Sequence, residues 1–214
     1  MTAIQVADVR YPVRTLGPGV RVAIWFQGCH IGCPGCVSRD TWTPSGGKSL
    51  TVKDLVSTVV DLVDGPLQGI TISGGEPFEQ PEALTALVDQ LRSVFERRAD
   101  PVDVLCYSGI TLRDLETRFP HILARLDALV PEPYRARTPT ELPWRGSANQ
   151  PLLALSPLGR ARYQHIAAAA RSIQLDVAEG HVELIGIPRR GDLARVARHL
   201  AAAGITLQDT TWRP

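Results

Sequence analysis

Apolar positions along this chain fall into short β-rich runs that alternate with stretches of helical spacing. Val20 to Phe26 is the first clear run, and it stops at Gln27-Gly28, so it reads as a buried strand feeding a loop. From Thr51 the residues Thr-Val-Lys-Asp offer a capping box, with Leu55, Val56, Val59, Leu62 and Val63 at helical spacing and Gly65-Pro66 as the stop. That spacing predicts a helix of about three turns. Ile70-Thr71-Ile72-Ser73 is a second strand ending in Gly74-Gly75, and Pro81 opens a helix with Leu84, Leu87, Val88, Leu91, Val94 and Phe95 on one face. Val102 to Tyr107 gives a third strand ending at Ser108-Gly109, Thr111 to Arg118 a capped helix, and Leu126 to Val130 a fourth strand. Strand followed by helix, repeated, implies an α/β fold with a parallel sheet and right-handed helical crossovers.

Pro131 to Pro157 breaks the alternation, being rich in proline, arginine and polar residues, and reads as a long functional loop or an insertion. Beyond it, Ile173 to Val177 and Val182 to Ile187 flank Ala178-Glu179-Gly180-His181 as a hairpin. A helix near Leu193 to Ala203 and a last strand at Ile205 to Gln208 follow. The length of 214 residues suits one domain. Within it, residues 14–130 bear the motifs, 131–157 form the loop or insertion, and 158–214 complete the sheet.

Charge narrows the function classes. A formal net charge of +1 provides no basic field for nucleic acid. Met1 to Arg10 carries no apolar stretch behind a basic head, and no run approaches the length of a membrane span, so the expectation is a cytoplasmic protein.

The chemistry concentrates in Cys29-His-Ile-Gly-Cys33-Pro-Gly-Cys36. Three of the four cysteines sit on one loop whose glycines let the backbone wrap closely round a single object. Iron–sulfur clusters usually take four cysteines, so a local set of three leaves one iron open to a substrate or cofactor. A structural zinc site completed by His30 or a distant ligand is the other reading of the triad, and it makes the chain a non-catalytic binding module. Cys106 lies within an apolar strand and reads as a small buried hydrophobe. His121, His165, His181 and His199 have no metal-like spacing.

CxxxCxxC after the first strand, followed by Gly74-Gly75-Glu76 after the second, resembles the radical S-adenosylmethionine superfamily. Gly17-Pro18-Gly19-Val20-Arg21, Phe26-Gln27-Gly28-Cys29, Cys33-Pro34-Gly35-Cys36 and Asp40-Thr41-Trp42 are similar to the small activating enzymes of anaerobic ribonucleotide reductase and of pyruvate formate-lyase. The resemblance runs over residues 14–110, and departs at Ser38-Arg39, where those enzymes commonly carry Asn-Pro.

This resemblance implies a partial (β/α)6 barrel with a C-terminal hairpin and helix extension, and a cluster loop at the carboxyl ends of the strands. It implies that Cys29, Cys33 and Cys36 hold a 4Fe-4S cluster. Gly74, Gly75 and Glu76 would hold the methionine amine of S-adenosylmethionine, with Ser73 among the cofactor-binding residues, Gly35 against the adenine and Tyr107-Ser108 reaching the same ligand. Arg21 is either a surface residue or, as the family places such an arginine, near the site. Reductive cleavage of S-adenosylmethionine to a 5′-deoxyadenosyl radical is the implied chemistry. The implied partners are a flavodoxin or ferredoxin-type reductant and a glycyl radical enzyme, or a peptide or small-molecule substrate.

Overall fold

A computed structural model describes residues 2–165, 169–178 and 181–207. Its centre is a seven-stranded mixed sheet in the order β3-β1-β2-β4-β5-β6-β7. The strands are β1 (Ala3–Val13), β2 (Arg21–Phe26), β3 (Lys48–Thr51), β4 (Gly69–Gly74), β5 (Asp103–Tyr107), β6 (Ala128–Val130) and β7 (Leu153–Ala154). β2, β4, β5 and β6 run parallel, whereas β1 is antiparallel to both β2 and β3, and β7 is antiparallel to β6. The expected strand–helix alternation holds through α1 (Val52–Leu62), α2 (Pro81–Phe95), α3 (Leu112–Arg118) and the short α4 (Pro120–Leu123). Thr51 caps α1 by accepting from the Asp54 amide, and Thr111 caps α3 from Asp114.

Three expectations need correction. The parallel sheet expected from the strand–helix alternation is, among the described residues, four parallel strands flanked by antiparallel ones. The run Ala3–Val13 supplies a strand, between β3 and β2, that sequence periodicity missed, because only Ile4, Val6 and Val13 of its eleven residues are buried. Residues 158–207 do not complete the sheet. After α5 (Pro157–Tyr163), the hairpin β8 (Ile173–Ala178) and β9 (His181–Gly186) forms a separate two-stranded sheet, followed by α6 (Asp192–Ala202). The turn residues Glu179 and Gly180 lie outside the described residues, as does Gln208, and residues 205–207 form no strand.

Side-chain alternation along the parallel strands sorts the sheet into two faces. Val22, Ile24, Phe26, Ile70, Ile72, Val104, Cys106 and Leu129 face α1 and α2 and join Leu55, Leu84, Leu87 and Leu91 in the main core. Cys106 is thus the buried hydrophobe its strand context predicts. The opposite face carries Ala23, Leu105, Ala128 and Val130, covered by Trp144, Tyr163 and Ile185 from the later segments.

At the amino end of that second face stands Arg21, completely buried, which overturns both readings made of it. Its guanidinium donates from Nε to Thr71 Oγ1 at 2.7 Å, to both carboxylate oxygens of Asp103 at 3.0 and 2.8 Å, and to the carbonyls of Pro18 and Ile70. All five donors are therefore used. Tyr163 donates to the same carboxylate at 2.7 Å. A side chain at Gly69 would collide with this guanidinium, which is why β4 opens on glycine.

A buried pair of this kind is costly to break on one side, because the remaining charge is left in a dry interior. Arg21→Met is expected to lose roughly 3–5 kcal/mol of unfolding free energy. Urea denaturation measures it, with Arg21→Met/Asp103→Leu recovering much of the loss. A single-variant cost within experimental error of zero would rule the account out.

Candidate active site

The cysteine loop leaves β2 at Gln27 and folds back on itself. Gly28, Gly32 and Gly35 all have left-handed φ, at 100°, 61° and 80°, which lets a short loop turn repeatedly. Its two arms are tied by Gly28 N to Thr41 O at 2.8 Å and Cys29 N to Trp42 O at 3.0 Å. The buried Gln27 amide adds bonds from Nε2 to the carbonyls of Asp40 and Thr43. Cys29, Cys33 and Cys36 are free thiols, each partly exposed. Burial pushes the Cys29 and Cys36 thiols above their ordinary range, against backbone donors that pull the other way.

Parallel pairing puts the end of β4 directly beside the start of this loop, with Phe26 opposite Gly74. Gly75 donates to Phe26 O and Glu76 to Gly28 O, both at 2.8 Å. A Cβ on Gly74 would lie 2.5 Å from the Phe26 nitrogen, and one on Gly75 would strike Gly28 O, so two glycines are the sterically permitted choice.

Glu76 is 1% exposed and its carboxylate is filled from within the protein. Oε1 accepts from Phe78 N at 3.0 Å and from Ser108 Oγ at 2.9 Å, and Oε2 accepts from Gly109 N at 2.7 Å. Burial pushes its pKa up to about 7, although the three donors oppose the shift. Ser108 in turn accepts from Ile110 N, so it orients Glu76 and the turn after β5 together.

A cavity of about 920 Å³ opens over these elements. The three cysteines, Ser73, Gly74, Gly75, Glu76, Tyr107 and Ser108 all line it. Gly35 does not, and faces the loop after β6, where a Cβ on it would meet Ala136 at 3.4 Å and the Tyr134 ring at 3.6 Å. Tyr107 spends its hydroxyl on the Trp144 carbonyl at 2.9 Å, and burial raises its pKa.

Sequence reading missed Trp25, Tyr134 and the stretch from His181 to Pro188, all of which line the cavity. Trp25 was accessible from alternation, since it lies opposite Ser73 on the second face of the sheet. The hairpin carried no such signal.

The donor set suits an iron–sulfur cluster better than closed zinc. His30 directs Nδ1 to Glu79 Oε2 at 2.8 Å, and its side chain is 80% exposed, turned from the role of fourth ligand. Among the described residues no group of three or more cysteine, histidine, aspartate or glutamate side chains is drawn to metal-binding spacing, so convergence of the three thiols belongs to the proposal below.

Residues 15–153 match the family model described as a 4Fe-4S single cluster domain. The chain belongs to this family. It is 30% identical over 138 residues to the anaerobic ribonucleoside-triphosphate reductase-activating protein of Enterobacteria phage T4, covering 64% of this chain and 85% of that one. The protein of that name from Vibrio cholerae is 32% identical over 144 residues, 65% of this chain and 92% of its own. Pyruvate formate-lyase 1-activating enzyme of Escherichia coli K12 is 45% identical over 118 residues, 47% of each chain. Among solved structures, QueE from Escherichia coli matches with a TM-score of 0.44 and 15% identity over 64% of this chain and 74% of that one, a likeness too slight to bear on the fold. This chain is a radical S-adenosylmethionine enzyme that uses a 4Fe-4S cluster and S-adenosylmethionine. None of its described helices is long and apolar enough to cross a membrane.

The Glu76 carboxyl yields a pH prediction. Its pKa is about 7 when folded against an ordinary 4.5, so between those values the native state binds more protons than the unfolded chain. This group's contribution to stability is therefore lost as pH rises through that window, by at most about 3 kcal/mol. Glu76→Gln, which cannot ionise, should flatten that part of the curve. It should also cost about 1–3 kcal/mol by turning an amide N–H toward the Gly109 donor. Urea midpoints at pH 5 and pH 8 measure both, and an unchanged pH slope in the variant would defeat the assignment.

Proposed function

We propose that Cys29, Cys33 and Cys36 hold the 4Fe-4S cluster and that the turn Ser73 to Glu76 receives the methionine amine of S-adenosylmethionine. The observation that carries this reading is that both motifs line one cavity at the carboxyl ends of β2 and β4, bonded to each other through backbone. Ligands bind at that end of parallel sheets generally. The cluster and S-adenosylmethionine, when bound, supply a 5′-deoxyadenosyl radical that abstracts hydrogen.

The chain's own residues bind, orient and exclude water. The Gly74-Gly75 turn offers carbonyl acceptors to an ammonium-type nitrogen. Glu76, held by Phe78, Ser108 and Gly109, contributes negative charge beside it, and Ser108 acts as a positioning residue rather than a direct ligand. Trp25 and Tyr107 flank Ser73 on the same face of the sheet and shield the reacting region. Gly35 serves by giving the Cys33–Cys36 turn its left-handed geometry.

The hydrogen comes from a glycyl radical enzyme, the partner that the family resemblance implies, or from a peptide or small molecule. A flavodoxin or ferredoxin-type protein supplies the electron, and the enzyme works in the cytoplasm, where thiols stay reduced. The fold that carries this function is a single domain built as a partial (β/α)6 barrel, to which β2, β4, β5 and β6 contribute.

Anaerobic reconstitution with iron and sulfide, reduction with dithionite and addition of S-adenosylmethionine tests the reading. We expect 5′-deoxyadenosine together with a perturbed cluster signal in electron paramagnetic resonance. Cys33→Ala should lose the iron, and Glu76→Ala should keep iron but weaken the response to S-adenosylmethionine. A fully loaded cluster that gives neither product nor spectral change with S-adenosylmethionine would refute the assignment.

A further inference from the structure

The family match ends at residue 153, yet the cavity is bounded on one side by residues after it. Every residue from His181 to Pro188 lines the cavity. A strand presenting one of its faces would contribute alternate residues only, whereas a strand presenting its edge contributes consecutive ones. Among the described residues β9 has a single ladder partner, β8, and its other edge is unpaired.

The register identifies which groups lie on that free edge. Ala178 pairs with His181 across only two intervening residues, so this pair must be of the type that exchanges both hydrogen bonds. Pair types alternate from there. Asp176 with Glu183 and Gln174 with Ile185 therefore bond across the hairpin, while Val182 and Leu184 direct their N–H and C=O groups away from β8. None of these four groups makes a hydrogen bond to a described residue.

Beside this edge lies a floor of Leu16, Trp25, Ile185 and Ile187. Charge at the cavity is predominantly acidic among the described lining residues, with Asp8, Asp40 and Glu183 set against the guanidinium of Arg10. Arg10 is itself paired to Asp8 and Glu183.

We propose that the free edge of β9 is a substrate-docking strand. It takes an extended peptide segment by strand addition and leads it along the cavity toward the cysteine loop. Main-chain bonds to Val182 and Leu184 supply affinity independent of sequence. The apolar floor takes alternate side chains, and the negative charge that Asp8 and Glu183 carry in excess of the one Arg10 guanidinium, together with Asp40, favours a lysine or arginine on the segment. The substrate class is thus a peptide, or an extended loop of a protein, carrying alternating apolar and basic residues. This inference rests on reading the cavity as the radical site.

The test is peptide binding to the full chain, with iron content and the spectral response to S-adenosylmethionine read on the same preparations so that failure of either idea is seen separately. A displayed library of random decapeptides is panned, and enriched sequences are synthesised and titrated by fluorescence anisotropy. We expect enriched peptides to alternate apolar residues with lysine or arginine. Leu184→Pro removes an N–H that does not serve the β8 ladder, and should weaken binding by about tenfold. Amide exchange provides a second reading without any variant: the Val182 and Leu184 amides should slow on adding peptide. No enrichment, or binding that leaves both amides unaffected, overturns the proposal. So does protection of those amides without peptide that disappears when the chain is shortened to end at Leu207, which would assign the edge to this chain's own C-terminal residues.

Discussion

Two backbone hydrogen bonds, Gly75 N to Phe26 O and Glu76 N to Gly28 O, join the turn after β4 to the root of the cysteine loop. Everything in the site depends on that junction. It requires glycine at 74 and 75, because the chains approach too closely for a Cβ, and it keeps the two motifs in one frame. The Glu76 carboxylate extends the frame to Ser108 and Gly109 after β5. Three neighbouring strand ends are thus held by main-chain geometry and one buried carboxylate, with Gln27 clamping the far arm of the loop.

The same face of the sheet is treated in opposite ways at its two ends. At the amino end, Arg21, Thr71, Asp103 and Tyr163 fill the space with mutually satisfied polar groups. At the carboxyl end, Trp25, Ser73 and Tyr107 occupy equivalent positions on β2, β4 and β5 but border an open cavity. A buried ion pair is rarely a net gain over apolar packing, yet it admits few alternative arrangements. Here it sets the strand starts against one another, and the register then carries that alignment to the site.

Residues 131–152, between β6 and β7, cover part of this face without regular structure to guide them. Gln150 Oε1 accepts from the amides of Gly146 and Ser147, while its Nε2 donates to Glu132 O. Arg171 donates to the carbonyls of Thr140, Arg145 and Ile187, stitching this segment to the end of the hairpin. Carbonyls of an irregular segment need donors when helix and sheet do not supply them, and these side chains provide them. The cavity therefore has one wall shared with the family and another peculiar to the later part of the chain.

The sequence by itself determined the alternating strands and helices from Val20 to Val130, because each carries a local period and a local stop signal. It also determined the motif residues, since cysteine spacing and paired glycines are local chemistry. Ser73, Gly74, Gly75, Glu76, Tyr107 and Ser108 all line one cavity, whereas Gly35 does not and faces the loop after β6. Only the tertiary structure decided the rest. Arg21 looked like a surface or site residue until Asp103, 82 positions away, was brought to it by parallel pairing. The hairpin 173–186 was legible as a hairpin, but its separation from the main sheet and the exposure of its free edge to the cavity were not. Local periodicity states which residues are apolar, while the choice of neighbour rests on long-range packing that no short window of sequence contains.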